Sequence, residues 1–464
     1  MIPITRKLVK TLRSVFRAAL GLSARAEGPP INVRACDDGL FFSAAMYGRG
    51  IQFRLEGSFP NREFWLPCDF LRQTEGSGKD AVLLEPKPDG VDVQWVVDSV
   101  PQTRTLQVDD PPDGMALPDV EFTDNSSELL VALANAVQTC DKESLRYALN
   151  CMQLRGASGE IVATDSHQLL VESDFTFPWD DNVLLPAGRL LTHREFRTDE
   201  NVGIGRADDV LALKVGPWTA WISLETERRF PDVESVIPGI DGAMATVHIP
   251  KDDGVFLARA VQQLPADDER HSPVTVDLNG SVAVRARASE AEPPMELVLA
   301  RSHRTGKAVR FCTNRKLLAR AMQLGFDDLH VFGPDSPVLC ADGARKYVWM
   351  LLDKDGVVKP SKHATRIESA AHAAESPTSS STPPRNPTPM KRTNPTRNNG
   401  RTNGPTPADS STSVINRAES LRDSLQTALT DVRELINALK QQKKNSRSVQ
   451  SALKSLRQLE GLEV

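Results

Sequence analysis

Apolar positions recur at helical spacing in three well-separated stretches, Ile4–Leu20, Ser126–Thr139 (SSELLVALANAVQT) and Asp252–Leu264 (DDGVFLARAVQQL), each reading as an amphipathic helix. After each helix the period shifts from 3.6 to 2, which predicts short strands, and a buried strand then runs into a second, shorter helix. The three versions of that turn are EFWLPCDFLRQ, NVLLPAGRLLTH and AVRFCTNRKLLARAM. Alternating strands close each unit: GVDVQWVVD in the first, VLALKVGPWTAWISLE in the second, and LHVFGP, SPVLCAD and KYVWMLL in the third. The units start about 120 residues apart, which is a weak threefold repeat. Each is an α+β module with two helices against an antiparallel sheet, and the expected boundaries are 1–122, 123–245 and 246–356.

Beyond the third unit the pattern changes. The stretch from Pro377 to Ser413 holds almost nothing apolar, so ordering it could not offset its conformational entropy, and a disordered linker rich in Ser, Thr, Pro and Asn is expected over 357–412. Val414, Ala418, Leu421, Leu425, Ala428, Val432, Leu435 and Leu439 then alternate steps of four and three, the a/d seam of a coiled coil. The phase meets Gln442 and Ser446 before resuming at Val449, Leu453 and Leu456, so 413–464 reads either as one interrupted helix or as a helical hairpin turning near Lys443–Ser446. Such a tail packs back on its own body, self-associates or pairs with a partner.

Length and composition fit several packed cores: 464 residues, 40% hydrophobic and 25% charged. No apolar run approaches the roughly 20 residues of a membrane-spanning helix, and the basic, amphipathic N-terminus lacks the design of a secretory signal, so a cytoplasmic location is expected. Charge is unevenly placed. Residues 1–26 carry six Arg and Lys and no acid, residues 359–464 carry 17 basic and 9 acidic side chains, and 27–358 are left with 33 basic against 52 acidic. Such a body repels a polyanion unless its cations gather on one face. The first helix offers Arg6, Lys10, Arg13 and Arg17 away from its apolar stripe, and Arg315, Lys316 and Arg320 sit similarly on a helix of the third unit. Three units set around an axis would turn these helices into a common cationic lining.

Catalytic chemistry finds no support. Gly76-Ser77-Gly78-Lys79-Asp80 lacks the leading Gly and the Ser/Thr of a phosphate loop, and Gly203-Ile204-Gly205 lies in a strand pattern without a third Gly. Asp165, Ser166 and His167 are adjacent, but no nucleophile elbow surrounds them. The six cysteines stand singly, without metal-ligand spacing, and no cofactor or metal is expected.

Residues 145–172, LRYALNCMQLRGASGEIVATDSHQLLVE, resemble the start of the second domain of the bacterial DNA polymerase III beta subunit, the replicative sliding clamp, with its R-Y-x-L-N-x-M and V-A-T-D-G-H-R-L. VGIGRADDVLALKVGPWTAWISLETERRFPDVESVIP resembles the stretch ending in that family's G-R-F-P-D-Y-x-x-V-x-P, and RKYVWMLL stands where the family ends in A-Y-V-V-M-P-M. The resemblance covers roughly residues 1–353. It implies the clamp fold, with three modules per chain and two chains closing head-to-tail into a ring around duplex DNA. The implied function is a non-enzymatic processivity factor that tethers a replicative polymerase. Arg146 and Tyr147 match a pair that lies near DNA in the family, and Arg25 and Arg72 stand near its DNA-facing arginines. Thr164, His167, Leu169, Pro238, Val348 and Met350 match the cleft that binds short peptides of polymerases and clamp loaders. The departures are Ser166 and Gln168 where the family has Gly and Arg, Leu351 where it has Pro, Ala187-Gly188 where a basic pair is expected, and about 110 residues past the point where the family normally stops. They motivate an alternative, a clamp-like scaffold that has lost encirclement and works through its coiled-coil tail.

Overall fold

The computed structural model describes residues 1–369 apart from 24, 109–116, 142–146 and 267–271. The coiled-coil tail, most of the expected linker and Arg146 lie outside the described residues.

One order of elements is used three times. The first repeat runs β1 (Ile2–Thr5), α1 (Arg6–Ala19), β2 (Ile31–Cys36), β3 (Gly39–Met46), β4 (Arg49–Leu55), β5 (Arg62–Leu66), α2 (Asp69–Thr74), β6 (Ala81–Lys87), β7 (Gly90–Val97) and β8 (Val100–Leu106). The second runs β9 (Thr123–Asn125), α3 (Glu128–Thr139), β10 (Cys151–Arg155), β11 (Glu160–Thr164), β12 (Gln168–Glu172), β13 (Asn182–Pro186), a 3₁₀ turn (Arg189–Thr192), β14 (Val202–Ala207), β15 (Val210–Val215) and β16 (Trp218–Ser223). The third runs β17 (Ala245–His248), α4 (Lys251–Ala260), β18 (Pro273–Asp277), β19 (Ala283–Ala286), β20 (Met295–Val298), an added β21 (His303–Gly306), β22 (Arg310–Asn314), α5 (Arg315–Gln323), β23 (Asp328–Val331), β24 (Val338–Asp342) and β25 (Arg345–Trp349). A last strand, β26 (Thr365–Glu368), follows.

Strand order repeats with the elements. Each repeat contributes two four-stranded half-sheets, ordered β1-β6-β7-β8 and β5-β2-β3-β4 in the first. Half-sheets of successive repeats fuse edge to edge: β4 pairs antiparallel with β16, and β12 with β25, giving continuous sheets of eight and nine strands. The first two repeats share a single buried core running from Ile2 to Ile222, and the third has its own, built around Phe311, Leu318, Tyr347 and Trp349.

The helices start and stop where side chains dictate. Thr5 caps α1, its hydroxyl accepting from the Leu8 N–H at 3.1 Å, and Asn314 caps α5 through the Lys316 N–H at 2.9 Å. The apolar stripe of α1 buries Val9, Leu12, Val15 and Phe16. Gly21 ends it at φ +69°, a left-handed conformation that favours glycine. The helix expected from Ile4 begins at Arg6, because Ile2–Thr5 is drawn into the sheet beside Val82 and Leu84. The second unit's short helix is only a 3₁₀ turn: Leu190 and Leu191 are followed by polar His193–Glu195, leaving no apolar stripe to continue.

The expected linker starting at 357 also differs. Val358 is buried and donates its N–H to Thr275 Oγ1 at 2.7 Å, and Thr365–Glu368 form a strand. Backbone hydrogen bonding, which composition does not register, orders this polar stretch.

Candidate nucleic-acid interface and partner cleft

The helices adjoin one another across the repeats. In the first, α1 packs on α2; at the first junction, Ser14 Oγ lies 2.8 Å from His193 Nε2 and Arg189 Nη2 donates to the Leu22 carbonyl at 2.6 Å. The 3₁₀ turn packs on α3, α3 meets α5 through Arg320, and α5 packs on α4. One continuous helical layer results.

The sequence reading assigned the cations of this layer a single role, and the structure divides them. Arg6 donates to the carbonyls of Thr74 (3.3 Å), Glu75 (2.8 Å) and Val96 (2.9 Å), clamping the loop after α2. Arg13 pairs with Glu75, and Arg17 is half-buried with one guanidinium nitrogen lacking a hydrogen-bond partner among the described residues. Arg315 is 4% exposed and donates to the carbonyls of Leu264, Pro265 and Ser272. It is a backbone clamp inside the third repeat rather than a cation on the outer side of α5, a correction to the helical-wheel expectation. Arg320 turns toward the second repeat, donating to Gln138 Oε1 at 2.8 Å and to Asn135 at 3.3 Å. Burial pushes its pKa down from the ordinary arginine value, and its Nε is buried without a partner among the described residues.

Lys10, Arg25, Arg72 and Lys316 remain exposed, Arg72 beside Asp69, and Tyr147 is 41% exposed. Sequence reasoning overlooked Arg194, Arg197 and Arg259, which are exposed on the same helical layer. The T-H-R-E-F-R run was the available signal for the first two. Among the described residues no cation lies on α3, whose outer face shows Val131 and Gln138.

The cleft residues lie where β12 meets β25. Leu169 and Val348 are register partners, both buried, and pack with Val162, Val171, Leu339 and Val233. Phe230, Ile237 and Phe332 border this cluster and are partly exposed. Met350 is 51% exposed, its N–H bonded to the His167 carbonyl at 3.2 Å, and Val236 and Ile240 add exposed apolar surface on the segment that carries half-buried Pro238. Leu169 and Val348 are thus buried, whereas Met350 presents an exposed side chain.

The adjoining turn is held by side chains. Thr164 Oγ1 donates to the Gln168 carbonyl at 2.6 Å and accepts from the Ser166 N–H at 3.1 Å; Asp165 accepts from the backbone N–H groups of His167 and Gln168. Gln168, where the family has Arg, is fixed between Asp165 Oδ2 (2.8 Å) and the Tyr347 hydroxyl (2.7 Å). Ser166, where the family has Gly, sits at φ +76°, so the left-handed turn persists without glycine. His167 is exposed. The adjacent Asp165, Ser166 and His167 are spent on shaping this turn.

No protein-family model matches the chain, and no curated protein matches it. Solved structures do. A putative DNA polymerase III beta subunit from Eubacterium rectale ATCC 33656 is 14% identical with a TM-score of 0.61, and the match covers 76% of this chain and 99% of that one. A DNA polymerase sliding clamp from Pseudomonas aeruginosa is 17% identical with a TM-score of 0.60, and a sliding clamp of that organism bound to griselimycin is 19% identical with a TM-score of 0.61, both at the same coverage. The thrice-repeated fold is that of the beta-subunit sliding clamps.

Proposed function

We propose that the chain is a DNA sliding clamp, a non-catalytic processivity factor that encloses duplex DNA and tethers a polymerase. The observation that carries this reading is the coincidence of three repeats, fused through β4·β16 and β12·β25, with a single helical layer bearing Lys10, Lys316, Arg194, Arg197 and Arg259. A duplex is a near-uniform polyanion at this scale, so a sparse set of exposed cations attracts it without fixing a register, and enclosure rather than affinity provides retention. The acidic balance of residues 27–358 disfavours DNA elsewhere on the surface.

The ring requires two copies, head to tail. Partner peptides of polymerase and loader subunits would insert an apolar side chain over Leu169 and Val348 and rest on Met350. The test is retention: protein loaded onto nicked circular DNA stays bound after a salt wash and is released when the circle is linearised. Loss from both templates alike overturns the reading.

A second reading has its own observation. Arg6, Arg13, Arg315 and Arg320 are engaged within the protein, which leaves a thin cationic surface and favours a clamp-like scaffold working through the C-terminal tail. Deleting residues 359–464 separates the two: a clamp still slides, whereas a scaffold loses its partners.

A further inference from the structure

The chain joins its own repeats by one rule. The end strand of one half-sheet pairs antiparallel with the last strand of the next repeat: β4 with β16, from Trp218↔Phe53 to Ile222↔Arg49, and β12 with β25, from Gln168↔Trp349 to Glu172↔Arg345. Carried through the threefold order, the rule leaves two strands without such a counterpart. One is β8, equivalent to β16 and β25, at the end of its sheet with five of its seven residues exposed and none buried. The other is β20, equivalent to β4 and β12.

The β20 edge is not open. β26 runs along it, and among the described strands this is the one parallel pairing. Thr365 N–H donates to the Pro294 carbonyl at 3.0 Å and Ser369 N–H to the Val298 carbonyl at 2.9 Å, while Ser369 Oγ accepts from the Ala300 N–H at 2.9 Å. All four side chains of β26 are exposed, so the strand is held by its backbone and by Ser369 rather than by an apolar face. Val358 remains anchored in the third repeat, and Lys359–Ala364, containing Pro360, connect it to the strand.

We propose that β26 is an internal cap on the edge that receives the β8 strand of a second copy of this chain, so that head-to-tail association is gated by release of Thr365–Ser369. This rests on the ring reading above. An edge strand presents unpaired N–H and C=O groups that any extended segment can satisfy, and natural edges are covered to prevent unwanted pairing. The cap is four residues long and parallel, whereas β8 is seven residues long and would pair antiparallel, as at both internal junctions. Occupancy by β26 lowers the apparent affinity between copies by the fraction of chains in which it is released.

The experiment uses the full chain in sedimentation velocity over a concentration series, with hydrogen exchange on the same samples. Thr365 and Ser369 donate to β20, so by alternation the intervening donor is the Ile367 N–H; Ile367→Pro removes it and releases the cap. Met295→Cys/Thr365→Cys, at register partners, locks the cap when oxidised. Ile367→Pro is expected to tighten self-association at least about tenfold and to protect the Val100–Leu106 amides in the assembled fraction. The oxidised double variant stays monomeric and returns to wild-type behaviour on reduction. If wild type, Ile367→Pro and the locked variant associate equally, the cap is overturned while the ring reading stands. If none associates although Ile367→Pro leaves the β20 amides exchanging freely, both fail. Association of Ile367→Pro without protection of β8 also overturns the proposal.

Discussion

The buried ion network under β20 gives a sharp prediction. Asp277 is 2% exposed and is held by Arg285 and by Arg310 (2.8 Å), with the Asn279 N–H at 3.0 Å; Arg285 also binds Glu296 on β20. Burial pushes the Asp277 carboxyl up, but the hydrogen bonds from Arg285, Arg310 and Asn279 outweigh it and hold its pKa below the ordinary value. Arg285→Met keeps the aliphatic stem and removes the guanidinium. Breaking a buried pair from one side costs about 3–5 kcal/mol. Arg310 and Asn279 remain, so about 2–4 kcal/mol is expected here, about 30- to 700-fold in the local opening constant.

The chain has more than one core, so hydrogen exchange of peptides spanning 273–314 is the suitable assay rather than a global melt. The pH sign is definite. A depressed folded-state pKa contributes stability above the unfolded carboxylate value, near 3.9, and that contribution is lost as pH falls through the folded value. In Arg285→Met only Arg310 and Asn279 still depress the carboxyl, so the deficit relative to wild type shrinks as pH falls below about 4. A deficit below about 1 kcal/mol, or one that grows on acidification, would refute the assignment of Arg285 as the buried counter-ion.

Lys10→Glu with Lys316→Glu should weaken DNA binding and flatten the log–log salt dependence by about 2, at roughly 0.9 per contact, as read by anisotropy on a labelled duplex; Arg315→Met should leave that slope unchanged and lower stability instead. Met350→Ala should lose captured polymerase peptide at a stability cost below about 1 kcal/mol because its side chain is half exposed, whereas Leu169→Ala should cost about 2–5 kcal/mol, and calorimetry with a peptide titration separates the two. Ser166→Gly should raise stability by up to about 1 kcal/mol by relieving the left-handed strain, and a fall in the melting temperature would contradict it.

The repeat was readable because helix stripes and strand alternation are enforced by burial: Val9, Leu12, Val15 and Phe16 fall inward at helical spacing whatever the tertiary context. The adjacency of Leu169 and Val348 was suggested by family likeness, and they are register partners on neighbouring strands of one sheet. What the guanidinium groups do was not readable. Arg6 opens its helix off the apolar stripe, as a phosphate-binding arginine would, whereas Arg315 falls in line with the buried Leu318, Ala319 and Met322; each grips backbone carbonyls of a loop remote in sequence. Spacing along a helix cannot distinguish those acceptors. Likewise β26 has no apolar alternation, because its place is set by the open carbonyls and amides of β20.

The two seams between repeats differ in kind, and that difference sets the mechanics of the body. Across the first seam the apolar interior is continuous. Across the second, Leu170, the six-residue cluster about Leu169 and Val348, and the partly satisfied Glu172–Asn135–Arg320 contacts join two separate interiors. Bending strain imposed on the body will therefore concentrate at the second seam, which acts as the compliant joint, while the first two repeats move as one stiff arm.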